Sequence, residues 1–346
     1  MIRVAVIGAG HWGPNLIRNF QNPPASRLAW VVDRDEGRLD QVRQRFPGVA
    51  LSTNADDVFA DDAVDAVVIA TPTSTHYPLV KAALEHDKHV MVEKPITTDG
   101  AQARELAGLA LERKLVLLVG HVFLYNPVIV RAKEYLDQGL VGSVHYISMV
   151  RTNLGPIRVD VNAGWDLASH DISIANYWLG CQPLTASAVG GSWINEGIED
   201  AMFATLRYPG DILVNLHSSW LNPRKSRDIT IVGDRSMLTV DDMDLTEPLR
   251  IYDKGVADET FTPGFIDSFG SFRASVREGS VTIPRVPMGE PLRRECDHFL
   301  TCIETSQEPP TNGLAAAAVV YALEAIDRSA QAGGSQQPVE QVLADQ

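Results

Sequence analysis

At 346 residues the chain is long enough for two domains, because one hydrophobic core seldom grows that large. Hydrophobic residues make up 45% and charged residues 21%, and 30 Lys and Arg against 44 Asp and Glu leave a net charge of −14. A surface so acidic argues against nucleic acid or an anionic membrane as partner, since both need a basic face, but leaves room for a small anion held by local arginines.

The chain opens MIRVAVIGAG, which reads as strand from about the second residue, with no secretory leader. Cys181, Cys296 and Cys302 give no metal-ligand spacing and suit a reducing compartment. The run GLAAAAVVYALEAI is too short and too small in its side chains to span a bilayer. The expected location is the cytoplasm, with no metal.

Residues 1–121 alternate short apolar strands with helices. RVAVIG, LAWVVD, VALS, DAVVIAT, KHVMVE and KLVLLVG are the expected strands; they are Val/Ile-rich and apolar on both faces, as in a parallel sheet covered by helices on each side. Helices are expected near 14–22, 36–46, 55–59, 77–86 and 100–113, with Pro14 in a first turn, where a missing N–H costs nothing. The alternation predicts an α/β N-terminal domain, a Rossmann-type doubly wound parallel sheet.

Beyond residue 121 the pattern changes. YNPVIVRAKEYLDQG reads as a helix with Asn126 as N-cap and Pro127 at its first position. VGSVHYISMVRTN is a long strand, and GWDLASHDISIANYWLG is a helix closed by Gly180. LTASAVGGSWI, DAMFATLRY, DILVNLHSSW, RDITIVGD and SMLTVDD follow as strands. Strand after strand with few helices predicts an α+β domain over 122–332, built on a mostly antiparallel open sheet. Residues 253–290 read as a long surface loop. PLRRECDHFLTCIET and GLAAAAVVYALEAIDRSAQ read as terminal helices, with packing back on the first domain as an option, and 333–346 as a polar tail.

The chemistry begins in the loop Gly8-Ala9-Gly10-His11-Trp12-Gly13, directly after a strand and before a helix. The first glycine makes a tight turn, the second lets backbone N–H groups approach a pyrophosphate, and the third allows close helix–strand packing; the helix N-terminus then faces the phosphate charge. Asp33 ends the second strand, where a carboxylate suits a ribose 2′-OH and repels a 2′-phosphate. Arg34 beside it suits a 2′-phosphate or an adenine face. The balance favours NAD over NADP.

ATPTSTHYP, with Thr71, Pro72 and His76, follows the fourth strand at the carboxyl edge of the sheet, where the cofactor should lie. It reads equally as an ordinary strand-to-helix turn. Glu93-Lys94-Pro95 ends the fifth strand at the same edge, and Pro95 holds Lys94 extended there. In isolation Lys94 is a solvated loop charge; its place at the crevice makes it a candidate for the reaction.

VIGAGHWG, ATPTSTH, EKPIT and GWDLASHDI together resemble the glucose–fructose oxidoreductase / inositol dehydrogenase (Gfo/Idh/MocA) family over nearly the whole chain. VGHVFLYNP, RTNLGPIRVDVNAGWDLASHD and WLNPRKSRDITIVGD are similar to its branch that oxidises C3 of UDP-N-acetylglucosamine or its uronate. Ala168 and Ser169 depart from the glycine and proline usual at those places. The resemblance implies an NAD(P)-dependent sugar or cyclitol oxidoreductase, a homodimer or homotetramer, and catalytic positions at Lys94, Asp166 and His170. The leading expectation is an NAD-dependent dehydrogenase acting at C3 of a sugar nucleotide, UDP-N-acetylglucosamine or its uronate; the alternatives are a keto-sugar reductase, an inositol or free-sugar dehydrogenase, or a glycosidase that uses NAD transiently.

Asp166 and His170 are four apart and share a helix face, which by itself also describes a helix-stabilising contact. Histidine titrates near pH ~6.5, whereas lysine starts near ~10.4 and is charged at neutral pH. His170 is therefore the expected base, Asp166 its orienter and Lys94 the donor that holds the reacting oxygen, with swapped roles as the alternative. Arg158, behind the Gly155-Pro156 turn, and Asn162 are the expected substrate contacts, with a surface ion pair as the competing reading of Arg158. Arg224, Lys225 and Arg227 form a second basic cluster.

Overall fold

The computed structural model describes residues 1–21, 25–256 and 276–342. Two units emerge: Met1–Tyr125 with Gly289–Glu324 and Glu340–Gln346, and Asn126–Met288 with Ala325–Val339.

In the first unit β1 (Ile2–Ile7), β2 (Ser26–Val32), β3 (Ala50–Ser52), β4 (Ala66–Ile69), β5 (His89–Glu93) and β6 (Leu117–Gly120) form a parallel sheet in the order β3-β2-β1-β4-β5-β6. Val4, Val6, Val67, Val68, Val90 and Val92 are all 0% exposed, so successive residues are apolar whichever face they point to. Helices α1 (Gly13–Gln21), α2 (Glu36–Arg45), α3 (Asp56–Phe59), α4 (His76–Glu85) and α5 (Gly100–Arg113) lie close to their expected spans. Asp35 caps α2 by accepting from the Gly37 N–H, and Asp99 caps α5 by accepting from that of Gln102. The strand order reverses between β1 and β4, which puts the ligand crevice of such a sheet at their carboxyl ends.

In the second unit α6 (Pro127–Asp137) begins as expected, with the Asn126 side chain accepting from the Val128 N–H at 2.9 Å. Strand β7 (Val144–Leu154) lies at the middle of a mixed sheet. Its other members are β8 (Thr185–Gly191), β9 (Ala201–Arg207), β10 (Leu213–Ser219), β11 (Leu221–Gly233), β12 (Met237–Asp241) and β13 (Leu249–Tyr252). Neighbours pair antiparallel except β7 and β10, which run parallel. One face is covered: Met202, Ala204 and Leu206 are buried on β9 while Phe203 between them is 48% exposed. Helix α7 (Ser169–Leu179) ends at Gly180, whose φ of 69° is left-handed, and Trp178 donates its indole N–H to the Ile129 carbonyl of α6 at 3.0 Å.

The stretch read as a loop over 253–290 is more ordered where it is described. Short strands β14 (Gly255–Val256) and β15 (Val276–Arg277) pair with each other, and β16 (Val281–Thr282) adds to β13. Residues 257–275 of that loop lie outside the described residues. Helix α8 (Pro291–Thr305) belongs to the first unit, where Phe299 meets Phe20 of α1 edge to face at 6.3 Å between ring centroids. Helix α9 (Gly313–Gln331) starts against α5: a side chain at Gly313 would lie 2.9 Å from the Ala107 Cβ. The polar tail carries β17 (Gln337–Pro338), which pairs with β8; residues 343–346 lie outside the described residues. Among the described residues no helix is long and apolar enough to cross a membrane, and no three His, Cys, Asp or Glu side chains cluster as metal ligands.

Candidate active site

In the first unit the glycine loop joins β1 to α1. Gly8 has φ +102°, and a Cβ there would lie 2.6 Å from the Ala70 carbonyl oxygen; one at Gly13 would lie 2.1 Å from that of Gly8. Neither position admits a side chain, so the loop stays close to β4 and the N-terminus of α1 starts beside it, the end of a helix that favours an anion. His11 and Trp12 are exposed on this loop.

Asp33 ties the loop down. Its Oδ2 accepts the Ala9 N–H at 2.7 Å and its Oδ1 the Asp35 N–H at 2.9 Å, and Oδ1 keeps a lone pair for a ribose hydroxyl. Arg34 is exposed. Sequence reasoning missed Arg38, whose Nη1 lies 3.4 Å from Asp33 Oδ2 and 3.4 Å from where a Cβ on Gly10 would be. No spacing rule points to it; the first turn of α2 brings it there. These glycines, the helix start and the carboxylate fit a dinucleotide.

After β4, Thr75 donates its hydroxyl to the Pro72 carbonyl at 2.7 Å, and its Oγ1 lies 2.7 Å from the Thr71 hydroxyl. His76 is 1% exposed, with Nδ1 2.8 Å from the Pro95 carbonyl and Nε2 2.9 Å from that of Thr71. Burial holds this imidazole below its ordinary value while the two carbonyls pull the other way. His76 is thus a bracket between the β4 turn and the end of β5, beside Lys94.

Lys94 is half-buried and precedes Pro95 through a cis peptide bond. Desolvation pushes the neighbouring Glu93 carboxyl up to about 7, against the Lys94 charge and a hydrogen bond from the Trp12 side chain. Two further groups went unnoticed in the sequence. His121, just past β6, is buried and pushed down to about 3 by desolvation and the Lys94 charge. Glu295 on α8 is 0% exposed with neither oxygen hydrogen-bonded, and burial followed by the Glu93 charge raises its carboxyl well above the usual range. An acid raised in this way favours folding less as pH climbs above the ~4.3 where an unfolded glutamate ionises.

In the second unit the expected helix around Asp166 starts as a π turn, Gly164–Ala168, and becomes α-helical at Ser169. Such wide turns often sit at functional sites. Asp166 and His170 are half-buried. Asp166 Oδ1 takes Arg158 Nη1 at 3.1 Å, and Oδ2 takes the Trp220 indole N–H at 3.1 Å. Arg158 also forks onto Asp160 through Nε at 2.9 Å and Nη2 at 2.6 Å; these carboxylates, Asp160 first, raise the guanidinium.

Asn162 braces the turn. Its Nδ2 donates to Glu199 at 2.9 Å and Asp327 at 3.1 Å, and its Oδ1 accepts the Trp165 N–H at 3.0 Å. Next to His170, Asp171 is 1% exposed and accepts from Nε and Nη2 of the buried Arg151 at 2.9 and 2.6 Å. Of the second basic cluster, Arg224 and Lys225 are exposed in the irregular start of β11, while Arg227 pairs with Asp242 at 2.7 Å.

The chain matches two family models: the oxidoreductase family with NAD-binding Rossmann fold over residues 2–121, and the GFO/IDH/MocA C-terminal domain over 129–239. It is 29% identical over 327 residues to UDP-N-acetylglucosamine 3-dehydrogenase of Acidithiobacillus ferrooxidans, covering 93% of this chain and 95% of that one. A solved structure of that protein superposes with a TM-score of 0.80 at 26% identity, over 96% of this chain and 99% of the other. GenD2 from gentamicin A biosynthesis, solved in complex with NAD, is likewise similar: TM-score 0.80, 26% identity, 98% of this chain and 97% of that one. A scyllo-inositol 2-dehydrogenase (NAD(+)) of Bacillus subtilis is 30% identical over 195 residues, which is 55% of this chain and 57% of the relative.

Proposed function

The chain belongs to the Gfo/Idh/MocA family of NAD-binding oxidoreductases that act on CH–OH groups, and from that premise we propose that it oxidises the C3 carbinol of a UDP-linked amino sugar, UDP-N-acetylglucosamine or its uronate. The observation that carries this reading is the extent of the likeness: the sugar-nucleotide relative matches over 93% of this chain, the inositol relative over 55%.

Bound nicotinamide supplies the hydride acceptor. The residues do the rest. Gly8, Gly10 and Gly13 let the backbone approach the pyrophosphate, with His11 and Trp12 on the same loop. Asp33 serves the adenosine ribose, with Arg34 at the adenine side. Thr71, Pro72, His76 and Glu93 line the cofactor edge of the sheet. His170 takes the hydroxyl proton on a ring nitrogen, Asp166 orients it, and the Lys94 Nζ hydrogen-bonds the reacting oxygen. Arg158 holds the anionic part of the substrate, exchanging Asp160 and Asp166 for it, and Asn162 keeps the approach to Asp166 in place.

The sheet of the second unit also supports a homodimer or homotetramer. Val189, Phe203 and His217 are cross-strand neighbours on its uncovered face, as are Leu213 and Tyr146. A free inositol as substrate is the second reading, favoured by the Bacillus relative.

Calorimetry on Arg158→Ala separates the two. UDP-N-acetylglucosamine is expected to bind at least about tenfold more weakly to the variant, the loss of one hydrogen bond to a charged group, with NAD binding unchanged. Equal losses for the nucleotide sugar and for myo-inositol would mark Arg158 as a brace of its loop and weaken the sugar-nucleotide reading.

A further inference from the structure

Behind Asp166 stands a residue that no motif marks. Trp220, between β10 and β11, is 1% exposed and among the largest fully buried side chains of the protein. A buried indole has one N–H to satisfy and no acceptor of its own. The Trp220 N–H is spent on Asp166 Oδ2, at 3.1 Å.

Trp220 is itself anchored. Its backbone N–H donates to the Asp200 carbonyl at 3.0 Å. Asp200 is 0% exposed, and its Oδ2 receives the N–H groups of Trp193 and Ile194 at 2.6 and 2.8 Å. The other oxygen of Asp166 faces a different kind of donor: the Arg158 side chain is 36% exposed and divided between Asp160 and Asp166. One donor is therefore enclosed and fixed, while the other is half in solvent and shared. Asp166 lies in the π turn, a single wide turn of the kind that recurs at functional sites.

We propose that Trp220 is a positioning residue for the reaction: its indole N–H fixes the direction of the Asp166 carboxylate, so that Arg158 can leave for a substrate anion without Asp166 turning away. This rests on the assignment of Asp166 to the reaction. A tryptophan that merely filled the core would serve as well as phenylalanine, which keeps most of the ring volume. The N–H separates the two roles.

The test uses the full chain with NAD bound. Trp220→Phe identifies one of the six indole N–H resonances in a proton–nitrogen correlation spectrum. That resonance is expected to move upfield in Asp166→Asn, where a neutral amide replaces the charged acceptor. No movement would overturn the proposal, whatever the substrate proves to be. With UDP-N-acetylglucosamine, Trp220→Phe is expected to lower kcat about tenfold, the loss of one hydrogen bond to a charged group, and to leave the KM for NAD unchanged. The acid limb of the pH profile should move to higher pH, because a carboxylate that loses a donor becomes more basic. A lower Tm with kcat and the acid limb unchanged would assign Trp220 to the core and sink the idea. If the unmodified protein oxidises no UDP-sugar, the substrate reading fails, and the resonance still decides on Trp220.

Discussion

Lys94→Ala and His170→Ala are each expected to lower kcat for NAD-linked oxidation by at least about a hundredfold, the low end of what a positioned acid or base contributes. The reasoning is one of proton supply. An alcohol gives up hydride only as its hydroxyl proton departs, and the imidazole is the group whose ordinary titration lies near neutrality. Lys94 follows β5 with His76 bracketing the adjoining Pro95 carbonyl, so the backbone that carries it is held before ligand binds. NAD binding should survive in His170→Ala, because the glycine loop and Asp33 are untouched. Steady-state NADH absorbance checks the rate and calorimetry checks the binding. A His170→Ala enzyme that turns over at a near-normal rate would make His170 a structural residue and move the base to Lys94.

The largest stability effect is expected at Arg151. Its guanidinium is 5% exposed and places two N–H groups on one oxygen of Asp171, itself 1% exposed. Arg151→Met would strand that carboxylate in a desolvated place, at a cost of about 3–5 kcal/mol. For a chain of 346 residues that corresponds to a fall in Tm of roughly 4–7 °C. Asp171→Leu added to Arg151→Met should recover most of the loss, since a buried pair exchanged for apolar groups of similar volume is often nearly neutral. Thermal unfolding followed by circular dichroism reads both. A single variant within about a degree of the unmodified protein would show that water or another group already serves Asp171. Because Asp171 follows His170 in the chain, the pair also fixes the first turn of α7.

How much of this could be read beforehand depends on whether the signal is local. The Gly8-to-Gly13 spacing, the Asn126 cap with Pro127, and the Gly180 stop are backbone requirements written in residue type, and each appears where the sequence puts it. The strands of the first sheet are legible because both faces are buried. The π turn at Gly164–Ala168 is not, since its spacing reads as an ordinary helix and only the tertiary brace of Asn162, Glu199 and Asp327 distinguishes it. Strands β13 and β16 were missed because they are short, four and two residues long, and β16 is an edge piece in a stretch rich in Gly, Pro and Asp, where composition reads as loop. Glu295 and Trp220 went unseen because each acts on a partner far away in sequence, and a single sequence gives no measure of such proximity; Arg38 is only five residues from Asp33, but no motif marks its place.

The central claim is tested most directly by mixing the protein with NAD and UDP-N-acetylglucosamine, and separately with its uronate, and following NADH together with the mass of the sugar nucleotide. The account predicts NADH in equal amount to a keto product lighter by two hydrogen atoms, oxidised at C3, with at least one of the two. No NADH from either sugar nucleotide, but NADH from myo-inositol, would contradict it.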